Sequence, residues 1–350
     1  MKQHTITIDG RVIGTDRPPY VIAEMSGNHN GDINRAFAIM DAAKASGADA
    51  VKLQTYTADT LTIDHDGPDF RIQDGLWNGR SLYELYQQAH TPWDWHEALF
   101  AHGKKLGLSV FSSPFDATAV DYLEELNAPA YKIASFEAID LALIKKAAAT
   151  GKPLIISTGM ANLEEIEEAV AAARRGGCEQ LALLHCTSGY PTPLEDLNLN
   201  TIPDIAARFD VLAGLSDHTH GTFASIAAIA LGARIIEKHF TLKRADGGPD
   251  AAFSLEPAEL KDLTNGCLAV WQALGTAGYE RKVCEEQNSV FRRSLYAVAD
   301  IKAGDAFTDQ NVRSIRPGYG LKPKYLSDIL GKRAKVNIGR GTAMQWDLVQ

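Results

Sequence analysis

Cysteine is scarce in this chain: four residues in 350, at positions 178, 186, 267 and 284, with no Cys-x-x-Cys pair. That excludes a disulfide scaffold and leaves reduced thiols as the expected state. Long apolar runs are missing as well. No stretch reaches the roughly 18 uninterrupted apolar residues of a membrane span, and the opening MKQHTITIDG has no hydrophobic signal-peptide segment. Nor is there an excess of positive charge: 35 Lys and Arg stand against 44 Asp and Glu, a net charge of -9. Such a balance disfavours nonspecific binding to nucleic acid or to an anionic membrane, so any anionic ligand has to be held by a few placed cations. The expectation is a cytoplasmic protein with neither nucleic acid nor membrane as partner.

What the chain does have is a repeating alternation. Eight β-branched or apolar runs, YVIAEMSG from 20, AVKLQTY from 50, SVFSSPF from 109, AYKIASFE from 130, PLIISTGM from 153, LALLHCTS from 181, VLAGLSDH from 211 and RIIEKHFT from 234, are separated by helical patterns. Strands alternating with helices predict parallel pairing. Eight units in about 220 residues fit a (β/α)8 TIM barrel better than a doubly wound open sheet, which is the alternative. Ahead of them, TITIDGRVIG reads as a hairpin covering the bottom of the barrel. The stretch 60–95 is a long loop whose aromatics predict an ordered lid or wall. Beyond about residue 285 short alternating pieces with Gly turns predict a small β-rich domain, dividing the chain into 1–284 and 285–350.

Polar residues gather late in the eight runs, on what would be the C-terminal face where barrel active sites lie. Alternation along a strand puts Ser216 and His218 on one face, and Glu237 and His239 on one face. In the turn GLSDHTHG, helix capping accounts for Ser216, Asp217 or Thr219 but leaves His218 unexplained, while His220 reads as a loop residue. Two imidazoles on neighbouring strands suit a partly hydrated divalent ion, Mn²⁺ or Mg²⁺, acting as a Lewis acid on a carbonyl. Without an ion they would be hydrogen-bonded wall residues.

Lys52 and Lys132 lie inside strands, where an unpaired ammonium is costly, so each needs an anion. Ser113, Ser135, Ser157 and Ser216 on four strand ends add hydrogen-bond donors, and a ligand carrying phosphate and carboxylate answers all six. Glu24 is placed to handle a proton. Three other readings remain open: a Schiff-base lysine, a structural ion pair with Glu24 or Glu137, and a metal hydrolase, which lacks an obvious third protein ligand. A noncatalytic binding protein would leave the polar strand ends idle.

The ordered set VIAEMSGNHNG, GADAVKLQTY, FSSPFD, AYKIASFE, IISTGM, LLHCTSGYPTP, GLSDHTHG, IIEKHFT and GGPDAAFSLEP resembles the sialic acid synthase family, along essentially the whole chain. DIKAGDAFTDQNVRSIRPGYGL resembles that family's antifreeze-like (SAF) domain. The resemblance implies condensation of phosphoenolpyruvate with an acylamino sugar. It implies His218 and His239 as metal ligands, with Co²⁺ as a further choice of ion. Lys52, Lys132, Ser113, Ser135, Ser157 and Ser216 would hold phosphoenolpyruvate with Tyr190 nearby, and Glu137 and Asp250 would face the sugar. Arg316 would reach the partner's barrel in a domain-swapped homodimer. Ser188 replaces the family's Asn, which puts that ligand contact in question. KLQTYTADTLT, LWNGRSLYELYQQAHTPWDWH and YKIASFE resemble most the branch that makes pseudaminic acid from a 6-deoxy diacetamido hexose, with flagellin or surface-polysaccharide modification as the implied end use. Phe136 beside Ser135 suits a C6 methyl group, a preference worth about 1–3 kcal/mol. N-acetylneuraminate and legionaminic acid synthesis are the alternatives.

Overall fold

The computed structural model describes residues 4–350, and the chain separates into two compact units, 1–275 and 276–350. The first opens with a hairpin of β1 (Thr5–Ile8) and β2 (Arg11–Gly14), whose Asp9-Gly10 turn takes positive φ at both residues, as a tight two-residue connection requires. Eight parallel strands follow: β3 (Tyr20–Glu24), β4 (Ala50–Thr55), β5 (Ser109–Pro114), β6 (Tyr131–Ile133), β7 (Leu154–Ser157), β8 (Leu181–Cys186), β9 (Leu212–Asp217) and β10 (Ile235–His239). They pair in chain order and close through β10 against β3, so the barrel expected from the eight runs is the fold.

Helices 33–45, 96–106, 117–125, 141–148, 163–175, 201–209, 223–230 and 257–274 follow the strands. Several start on an acceptor side chain, Asp32, Asp116, Asp140 and Asn162 among them, which pins each strand-to-helix turn at the mouth. Their apolar faces pack on the outward residues of the strands, Val21, Val51, Val110, Ile156, Leu183 and Ile236 among them.

Inside the barrel a second cluster joins Tyr20, Ile22, Phe111, Ile155, Leu184, Leu212 and Ile235 to Ile6, Ile8 and Ile13 of the hairpin. The hairpin therefore plugs the N-terminal end. Inward positions alternate with outward ones, and toward the C-terminal end the inward set changes from Ile22, Ala50, Phe111 and Ile235 to Glu24, Lys52, Ser113 and Glu237.

The long loop after β4 is ordered. It holds a short 3-10 turn at Pro68–Phe70, a bridge between Arg71 and Ser81, and helix Leu82–Ala89, whose start is a capping box of Ser81 and Glu84. The second unit has its own small core of Leu295, Ile301, Phe307, Val312, Ile329, Ile338 and Met344 around the antiparallel pair β11 (Ser294–Ala297) and β12 (Val312–Ile315). The division falls at 275/276, ahead of the 284/285 expected from the pattern, and the residues between include the exposed Tyr279 and Val283. No helix among the described residues is long and apolar enough to cross a membrane.

Candidate active site

Four ionisable groups meet at the C-terminal end of the barrel interior, each no more than 5% exposed: Glu24, Lys52, Lys132 and Glu237. Parallel register sets Glu24 beside Lys52 and beside His239, because β3 stands between β4 and β10. The Lys52 ammonium lies 2.5 Å from a Glu24 oxygen, donates to Ser113 Oγ at 3.2 Å, and is 3.9 Å from Glu237. Lys132 reaches across the interior to Glu237 Oε1 at 3.1 Å, which also accepts from Ser216 Oγ at 3.2 Å. Gln54 donates to the other Glu24 oxygen at 2.9 Å. The two lysines thus have carboxylate partners within the chain. Lys52 pairs with Glu24, as the ion-pair reading allowed, whereas Lys132 pairs with Glu237 and not with Glu24 or Glu137.

Burial and pairing divide these groups. Burial would lower Lys52, but Glu237 and Glu24 outweigh it and raise its pKa. Burial would raise Glu237, but Lys132 and Lys52 overcome it and hold the carboxylate low. Glu24 goes the other way: burial lifts it to about 7 against the pull of Lys52. Glu137, on the short helix Ser135–Ile139 after β6, is likewise lifted by burial to about 7. Burial and the two lysines thus act in opposite senses on the two carboxylates, upward for Glu24 and downward for Glu237.

Several polar atoms here have no partner: Ser157 Oγ, Ser188 Oγ, Glu137 Oε2 and Glu237 Oε2 are buried and unbonded. Unsatisfied buried groups are costly, and their concentration at one barrel end marks a place for a polar ligand. Ser135 differs, since its hydroxyl accepts the Gly159 amide at 3.2 Å. Phe136 beside it is 54% exposed at the rim.

The two histidines converge, with ring centroids 5.3 Å apart. His218 Nδ1 faces the Thr187 carbonyl at 3.1 Å and the Cys186 thiol at 3.7 Å, so its Nε2 is the nitrogen left for a ligand. His239 Nδ1 is buried without a partner, 4.0 Å from Asp250. Burial, then the neighbouring His218, keeps the His239 ring neutral, as a metal ligand must be. Asp250 hydrogen-bonds Ser26 and is lifted by burial. Among the described residues no three His, Cys, Asp or Glu side chains gather in metal-binding geometry. The donor set fits an ion held by two imidazoles with its remaining positions left to water or substrate. Tyr190 lies over this pair, 4.4 Å from His218 between ring centroids, with Phe253 4.9 Å from His239.

The mouth thus brings together Glu24, Lys52, Ser113, Lys132 and Ser216 in one network with Glu237, and His218, His239, Tyr190 and Asp250 in another group; Ser135, Glu137, Ser157 and Ser188 come from strand ends β6 to β8. Arg316 belongs to the second unit, exposed just after β12. Glu237 is the hub that residue-by-residue reading placed on the right face without giving it a role. Its signal was the two-residue spacing from His239.

The sequence model of the NeuB family matches residues 39–279, and that of the SAF domain residues 292–350. The chain belongs to the NeuB family. A pseudaminic acid synthase of Campylobacter jejuni is 44% identical over 95% of this chain and 96% of its own length. An N,N'-diacetyllegionaminic acid synthase of the same organism is 38% identical over 91% of this chain and 96% of its own. Among solved NeuB-type structures, the N-acetylneuraminic acid synthetase of Leptospira borgpetersenii, crystallised with citrate, aligns with a TM-score of 0.73 at 30% identity, covering 82% of this chain and 95% of that one.

Proposed function

We propose that the chain is a pseudaminic acid synthase, condensing phosphoenolpyruvate with 2,4-diacetamido-2,4,6-trideoxy-L-altrose and releasing phosphate. The observation that carries this reading is the buried cluster of Lys52, Lys132, Ser113 and Ser216 with Glu24 and Glu237, flanked by unpartnered donors and the two histidines. The choice of sugar is supported by the higher identity to the pseudaminic than to the legionaminic relative, and by Phe136 at the rim.

Lys52, Lys132 and the serines orient phosphate and carboxylate, with Glu24 taking a proton as the anion enters. Glu137 and Asp250, both pushed up by burial, hold the sugar's amide and hydroxyl groups. His218 and His239 would hold a divalent ion, Mn²⁺, Mg²⁺ or Co²⁺, which when bound polarises the aldehyde of the open-chain sugar. In the condensation the C2–C3 π pair of phosphoenolpyruvate forms the bond from C3 to the aldehyde carbon and the aldehyde oxygen takes up a proton; water adds at the cationic C2 and gives up a proton, and the bond from C2 to the phosphate oxygen breaks as the added hydroxyl loses its proton, leaving a ketone and free phosphate. Holding both reactants in place is the main contribution of the side chains.

The proposal includes a domain-swapped homodimer in which Arg316 reaches the partner's barrel. Exposed apolar side chains support an additional copy: Met160 and Leu194 between strand and helix, Phe223 at the start of helix 223–230, and Tyr279, Val283 and Phe291 within 276–291. A cytoplasmic location and a role in flagellin or surface-polysaccharide glycosylation belong to the same proposal. The test is phosphate release from phosphoenolpyruvate with Mn²⁺, offering the L-altrose sugar, N-acetylmannosamine and the remaining diacetamido sugars separately. Release with the altrose alone is expected, and release with another sugar only would replace the substrate.

A further inference from the structure

Within the loop after β4, residues 72–80 form a tongue. The Ile72 amide donates to the Arg80 carbonyl at 2.9 Å and the Gly79 amide to the Ile72 carbonyl at 2.8 Å, above the Arg71–Ser81 bridge. Gly79 has a φ of +85°, which lets the returning strand turn without a side-chain penalty. From 73 to 79 every residue is exposed except Trp77, so the tongue has no core of its own.

Trp77 is what holds it. The indole N–H donates to the Pro249 carbonyl at 2.9 Å, from a chain position 172 residues away. Its ring lies 5.8 Å from Tyr190, the ring that sits 4.4 Å from His218. The acceptor is itself fixed: Gly27 lies so close to Pro249 and to the backbone of Ala89 that a Cβ there would come within 2.6 Å and 3.1 Å of them. Ala89 ends the helix that the tongue leads into, and the residue after Pro249 is Asp250. One side chain thus ties the tongue to both the aromatic cover of His218 and the backbone next to Asp250.

We propose that Trp77 is a sugar-contacting residue and latch: it holds the tongue over the sugar end of the pocket, where the indole face packs on the sugar's apolar edge and keeps bulk water from the reacting carbons. This rests on the condensing function proposed above. An aromatic contact and one hydrogen bond to a carbonyl are the interactions involved, so their joint loss acts on sugar binding and leaves the phosphoenolpyruvate cradle of Lys52 and Lys132 untouched.

The experiment compares full-length wild type with Trp77→Phe, which keeps a ring and loses the N–H, and Trp77→Ala, which loses both. Steady-state kinetics with Mn²⁺ and the L-altrose sugar should show the sugar KM rising about ten- to a hundredfold in Trp77→Ala and less in Trp77→Phe, with the phosphoenolpyruvate KM within about twofold. Amide hydrogen exchange across 72–80, measured without substrates, should speed up in both variants. A sugar KM that does not move, or a rise shared equally by both substrates, overturns the sugar contact. Unchanged exchange in 72–80 overturns the latch. If wild type fails to turn over the altrose, the condensing function with that sugar falls instead, and the exchange measurement still decides whether Trp77 fastens the tongue.

Discussion

At the N-terminal end of the barrel Ile22, Phe111, Ile155 and Ile235 close on the hairpin's Ile6, Ile8 and Ile13, while two residues further along the same strands stand Glu24, Ser113, Ser157 and Glu237. One end is an apolar plug, each large side chain contributing on the order of 1.5–3 kcal/mol by leaving water. The other buries four ionisable groups whose desolvation costs several kcal/mol each, recovered only through mutual pairing. Pairing of that kind seldom adds to stability. What it provides is a set of charges already in place, with unpartnered oxygens beside them. The plug lets the mouth carry that cost.

Removing the ion attacks the costly end most directly: chelator should abolish turnover, and His239→Ala should lose both activity and metal dependence, as phosphate release would show; activity that survives chelation refutes the role given to the two histidines. Next in size, Glu237→Ala takes the shared carboxylate from Lys52 and Lys132. Turnover should be lost and urea unfolding should register about 3–5 kcal/mol of destabilisation, because buried ammonium groups are left uncompensated. Phe111→Ala probes the plug. It should cost a similar 3–5 kcal/mol in the same unfolding measurement, yet leave the KM for phosphoenolpyruvate near wild type at a temperature where the variant is folded. Comparable loss of substrate affinity in Phe111→Ala would erase the division between the two ends.

A smaller effect comes from pH. Burial pushes the Glu24 carboxyl up to about 7, above its unfolded value of about 4.3, so its contribution to stability is complete below the unfolded value and is lost as pH rises toward and through about 7. Melting temperature should therefore fall between about pH 5 and pH 7 more in wild type than in Glu24→Gln, and equal slopes would deny the raised carboxyl. Glu137, lifted likewise by burial, acts in the same direction. Smallest is Ile13→Val in the hairpin, expected to cost about 0.5–1.5 kcal/mol with unaltered kinetics.

Much of the barrel could be read along the chain because both its signals are local. Alternating strands and helices repeat within short windows, and polar residues such as Lys52, Ser113 and His218 fall at the ends of apolar runs. The same two-residue spacing that paired His218 with Ser216 and His239 with Glu237 is intrinsic to any strand. What local pattern could not supply was the choice of partner. Lys132 and Glu237 come from strands that are not neighbours, and they meet only because the interior is narrow enough for side chains to cross it. Trp77 and Pro249 give no periodic signal, lying in irregular segments far apart in the chain.

The sequence by itself determined the eight strands, their parallel order, the hairpin, the basic chemistry of the mouth and the family, since each depends on residue type and short spacing. Tertiary structure decided which carboxylate answers which lysine, that burial lifts the Glu24 carboxyl while the two lysines hold Glu237 down, and that a tryptophan in a loop meets Tyr190 and the Pro249 carbonyl beside the histidines. Those outcomes follow from barrel closure, which sets β10 against β3 and turns burial and distance, quantities absent from a linear chain, into the forces that set each group's charge.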